Sequence, residues 1–92
     1  MMSPIRAGHL DGNALAGVLA DALGADLTAR EARCLHCGTV DVLARALVYV
    51  SAMGLVARCA SCEGVLATTV HTDDGRRWFG MPGVAALEMP AP

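Results

Sequence analysis

The chain has 92 residues, of which 54% are apolar, yet the aromatic ones are only Tyr49, Trp78 and Phe79. That length allows one small domain. A core of Ala, Val and Leu buries less area than one with rings, so a covalent or metal staple is expected. Nine acidic residues against seven arginines, with no lysine, give a net charge of −2, which speaks against a protein that works on phosphate backbones.

Residues 1–9 carry no periodic pattern and read as a flexible tail. The start, MMSPIRAGHLDG, holds no apolar run of signal-peptide length. A cytoplasmic setting, in which thiols stay reduced, is therefore expected. From residue 10 to 26 the apolar residues Leu15, Val18, Leu19, Ala22 and Leu23 share one face of an amphipathic helix. Asp11 is the expected N-cap, with Asn13 as its competitor and Leu10 placed to staple onto Leu15. Gly24 suits the left-handed position that ends a helix.

After residue 27 the period changes to two, and residues 28–90 read as a β domain within one domain overall. TAREARC is a short strand leading into the first cysteine pair. VLARALVYV (42–50) reads as a strand despite the helix-favouring LARAL, and SAMG turns it back through LVARC (55–59). ALVYVSAMGLVA (46–57) is too short to span a membrane, so it reads as a buried hairpin. GVLATTVHT (64–72), RRWFG (76–80) and VAALEM (84–89) follow as strands, with DDG (73–75) as a turn.

All four cysteines lie in C-x-x-C pairs, Cys34 with Cys37 and Cys59 with Cys62, and 21 residues separate the pairs. That spacing lets both thiolates of a tight turn face one ion, and two such turns complete a tetrahedral four-sulfur shell. Gly38 follows the first pair directly, whereas the second is followed by Glu63 and only then by Gly64, so that glycine arrives one place late. Four soft thiolates select zinc or iron over hard cations. The expected cofactor is structural Zn2+ held by Cys34, Cys37, Cys59 and Cys62. Rubredoxin-like iron fits poorly with so few rings. Two disulfides would suit a secreted chain, and a thioredoxin-type redox pair would need a βαβ pattern.

Four protein ligands leave no open position for water or substrate, so no catalytic residues and no enzyme are expected. His36, inside the first pair, reads as an exposed turn residue rather than a ligand, while His71 lies on a strand and His9 in the tail. Arg76, Arg77, Trp78 and Phe79 form a patch that can stack bases, or a strand with one face packed inward.

LDGNALAG, RCLHCG and GLVARCASCEGVL together resemble a group of short, uncharacterised actinobacterial proteins of the zinc-ribbon kind, over most of residues 10–90. The resemblance implies a small α+β zinc-ribbon-like fold, with an N-terminal helix and an antiparallel sheet that carries a four-cysteine metal site, and no established activity. The expected function is a non-catalytic zinc-binding module that contacts a protein partner or a second copy of itself. Neither a membrane nor a small-molecule substrate is expected. The alternatives are a nucleic-acid-binding ribbon, disfavoured by the charge, and an iron electron carrier or accessory protein of an oxidoreductase.

Overall fold

The computed structural model describes residues 9–89. Over the described residues the chain folds as a small α+β structure with one short α-helix and eight strands in two antiparallel sheets. The strands are β1 (Leu10–Asp11), β2 (Glu31–Cys34), β3 (Val40–Val42), β4 (Leu47–Ser51), β5 (Gly54–Arg58), β6 (Val65–His71), β7 (Arg77–Gly80) and β8 (Val84–Leu87). The five-stranded sheet has the order β1-β4-β5-β6-β7, and the three-stranded sheet the order β3-β2-β8.

The N-terminal helix is shorter than its apolar pattern. Leu10 and Asp11 pair with Val48 and Leu47 of β4. A 3-10 turn occupies Gly12–Leu15, and the α-helix α1 runs only over Ala16–Leu23. Asp11 is a cap, as expected, but of the 3-10 turn: its carboxylate accepts the Asn13 N–H at 3.0 Å. Leu10, 54% exposed, makes no staple, because strand pairing holds it at the sheet edge. Gly24 closes α1 in the left-handed conformation. The tail expected over residues 1–9 lies outside the described residues, apart from His9, whose ring centroid stands 5.7 Å from that of Tyr49.

Residues 42–50 do not form one strand. Val42 ends β3, Leu43–Arg45 make a 3-10 turn and β4 starts only at Leu47. The helix preference of LARAL survives as that single turn, and it places the fully buried Leu43 in the core. β4 and β5 then form the expected hairpin. No helix among the described residues is long and apolar enough to cross a membrane.

Directly opposed residues in a sheet share a face, and successive rows alternate. The register therefore puts Val48, Ala57 and Ala67 in one inward row and Leu55, Thr69 and Phe79 in the next. Leu15 and Leu19, each 1% exposed, join this core, so the 3-10 turn and α1 cover the sheet of their own chain. Trp78 and Val70 are opposed on the outer face and stay exposed.

The last strand leaves its sequence neighbour. β8 pairs not with β7 but with β2, across the register Ala32 to Leu87 and Arg33 to Ala86. The segment before it fastens both sheets: the Gly83 N–H donates to the Leu66 carbonyl at 3.1 Å, and the Gly83 carbonyl accepts the Leu35 N–H at 2.7 Å.

Candidate metal centre

Each C-x-x-C pair forms the turn of a hairpin, and the two hairpins belong to different sheets. Cys34–Thr39 joins β2 to β3 in the small sheet, and Cys59–Gly64 joins β5 to β6 in the large one. The turns repeat one hydrogen-bond pattern. The Cys34 N–H donates to the Thr39 carbonyl and the Gly38 N–H to the Cys34 carbonyl, both at 2.9 Å. The Cys59 N–H donates to the Gly64 carbonyl at 2.9 Å and the Glu63 N–H to the Cys59 carbonyl at 2.8 Å. The matching left-handed positions are Gly38 (φ 77°) and Glu63 (φ 62°), so the second turn places a residue with a Cβ where the first has glycine. The Arg58 guanidinium holds the Glu63 carbonyl at 2.9 Å.

All four sulfurs lie within 4.8 Å of one another. They approach across the turns: Cys34 Sγ is 3.7 Å from Cys62 Sγ, and Cys37 Sγ is 3.8 Å from Cys59 Sγ. Sulfurs about 2.3 Å from a central ion in a tetrahedron stand about 3.8 Å apart. The cluster thus has the donor set and spacing to hold a metal ion. Cys34 and Cys59 are buried in the core, whereas Cys37 and Cys62 face solvent. The Ser61 N–H points to Cys59 Sγ and the Gly64 N–H to Cys62 Sγ, both at 3.4 Å, so the turns supply amides that favour thiolate charge.

The thiols do not share that charge equally. Hydrogen bonds from the Thr39 hydroxyl and then its backbone N–H bring Cys37 down from 9.0 to about 6. At Cys62 the Gly64 N–H favours the thiolate, but desolvation and the three neighbouring thiols outweigh it and push the group up to about 12. Lowering at Cys37 favours the folded thiolate above pH 9 and loses that advantage as pH falls through 6. The raised Cys62 works in the opposite sense, favouring the folded thiol below pH 9. A bound ion must displace that remaining proton, so binding releases protons. Metal loading is expected to weaken as pH drops toward and below 6, read by a chromogenic chelator across a pH series; loading that does not change from pH 8 to 5 contradicts this assignment.

Residues 6–92 match the family of unknown function DUF6510. The chain belongs to that family. No curated protein and no solved structure matches it. In this DUF6510 chain the functional question therefore rests on the site itself and on the surfaces around it.

The late glycine of the second turn has a steric cause. A Cβ on Gly64 would stand 2.5 Å from His36 Cδ2 and 2.9 Å from His36 Cγ. The imidazole of the first turn lies directly against the second, and its Nε2 donates to the Val65 carbonyl at 3.2 Å. His36 is exposed and stands outside the four-sulfur cluster, but it is a clasp between the turns rather than a free side chain. Gly64→Ala is expected to destabilise the metal-loaded protein by about 1 kcal/mol by expelling His36 from this hydrogen bond. In a His36→Ala background the same change is expected to be nearly neutral. Equal costs in both backgrounds, by denaturant titration, rule out the clasp.

The remaining residues singled out from sequence separate. The His9 ring lies beside that of Tyr49, tilted by 52°, and His71 opposes Arg77 at the end of the large sheet. The RRWF patch splits by alternation. Phe79 packs against the core, Trp78 faces out with the Arg76 guanidinium 4.8 Å from its ring centroid, and Arg77 meets Asp21 of α1 at 3.4 Å.

Proposed function

We propose that the protein is a non-catalytic module in which Cys34, Cys37, Cys59 and Cys62 hold one structural zinc ion and the outer face of the large sheet contacts a protein partner. The observation that carries the metal reading is the pair of sulfur separations, 3.7 and 3.8 Å, close to the edge of a zinc–thiolate tetrahedron. Four thiolates fill a four-coordinate shell, which suits a structural rather than a catalytic ion. Zinc would neutralise two of the four thiolate charges and link the two sheets. The partner reading rests on Trp78 and Val70, exposed side by side on the outer face with Tyr49 and Val56 in the neighbouring row. An exposed apolar patch rimmed by a stacked arginine has the composition of an interface centre.

Native mass spectrometry of the protein purified from its own host without chelators tests both parts. The expected result is one zinc ion per chain and a second polypeptide that is lost on Trp78→Glu while the zinc remains. Iron in place of zinc overturns the metal assignment. A zinc-loaded chain that carries no partner before the substitution overturns the interface.

A further inference from the structure

α1 has eight residues and covers only part of the inner face of the large sheet. Beyond it, against the β6–β7 hairpin, lies a groove of about 320 Å³, a volume within the range of small-molecule sites. The buried Thr69 and half-buried Phe79, opposed in the β6–β7 register, form its floor. The Thr69 hydroxyl already accepts the Leu55 N–H at 3.3 Å, so it belongs to the sheet. Val18 and Ala22 of α1 supply an apolar wall, and the opposed pair His71 and Arg77 supply a polar one.

Across this groove Arg77 Nη1 stands 3.4 Å from Asp21 Oδ2, and the two side chains are 63% and 62% exposed. An ion pair this open holds its geometry weakly and rearranges readily around a ligand. A simple anion drawn to Arg77 would sit beside the Asp21 carboxylate, and a simple cation drawn to Asp21 would sit beside Arg77. A ligand that carries both charges on adjacent atoms avoids both conflicts. Its carboxylate meets the planar guanidinium fork, its ammonium meets Asp21, and His71 adds a further polar contact. An apolar side chain then lies against Phe79, Val18 and Ala22. We infer that the groove binds a small zwitterion of the α-amino-acid type with an apolar side chain, independently of which metal the cysteines hold.

Nuclear magnetic resonance titration of the metal-loaded full chain tests this with three probes: L-phenylalanine, phenylpropionate, which lacks the ammonium, and phenethylamine, which lacks the carboxylate. L-phenylalanine is expected to give saturable shifts at Ala22, Thr69, His71 and Phe79, and to bind about tenfold more tightly than either single-charge probe. Asp21→Asn and Arg77→Gln change exposed side chains, so the fold is retained, and each is expected to weaken L-phenylalanine about fivefold or more. No saturable shift at the groove overturns the inference, as does equal binding of a single-charge probe or unchanged affinity in both variants.

Discussion

Removing the metal from the loaded protein is expected to abolish its β structure, because four thiolates on one ion would tie together two sheets that share little else at that end. The first turn belongs to the small sheet and the second to the large one. Besides the ion, the described contacts that join them near the site are the His36 clasp, the Gly83 hydrogen bonds and the packing of Cys34 and Cys59 in the core. Each hydrogen bond is worth about 1 kcal/mol net, whereas structural zinc contributes on the order of 10–16 kcal/mol at neutral pH. The whole stability of a domain is about 5–15 kcal/mol, so a bound ion of that kind is expected to decide whether this one folds. The four cysteines are also not equivalent. Cys34→Ser and Cys59→Ser place a hydroxyl in the core as well as removing a ligand, and are expected to unfold the chain outright. Cys37→Ser and Cys62→Ser remove solvent-facing ligands and are expected to leave a weakened three-thiolate site. Circular dichroism with chelator titration checks the series. A metal-free protein with native-like spectra contradicts it.

The second large effect lies in the helix. Leu15 and Leu19 are 1% exposed and belong to the buried cluster that also holds Leu43, Val48, Ala57 and Ala67. Leu→Ala at such a site costs about 2–5 kcal/mol, a large part of the total for a chain of this size. Leu19→Ala is expected to lower the denaturant midpoint of the metal-loaded protein sharply. Leu23→Ala, at a 47% exposed position of the same helix, is expected to change it little. Comparable losses in both variants would mean that the helix does not pack as described.

The cysteine pairs were legible because ligand chemistry is local: two thiolates in one turn need only the turn between them. The β4–β5 hairpin and the strands of β6 and β7 were legible for a similar reason, since short turns join sequence neighbours. What periodicity could not carry was partner choice. VAALEM reads as a strand, but nothing in its own residues says that β8 abandons β7 for β2, fifty residues upstream, to close the second sheet. LARAL was overridden rather than misread, since its helix preference holds Leu43–Arg45 in a 3-10 turn between Val42 of β3 and the start of β4 at Leu47. The same held for the N-terminal helix, whose apolar spacing extended past the point where strand pairing takes over. Gly64 was visible as an irregularity, and its cause lay 28 positions away in His36.

The pairing of β8 with β2 also sets how much chain must be looped to complete the small sheet. All four thiols have left the ribosome once Cys62 emerges, but β2 waits for residues 84–87 before its sheet can close. Without a metal link, joining Cys34 to Val84 closes a loop of roughly 50 residues; with Cys34 already tied to Cys62, the loop falls to roughly 22. The entropy saved is small, about 0.7 kcal/mol. A metal ion held by the four thiols would thus shorten the loop that β8 closes when it pairs with β2. A chain without β8 is therefore expected to release metal to a chelator faster than the full chain, because β2, which carries Cys34, loses its partner; equal release rates contradict this.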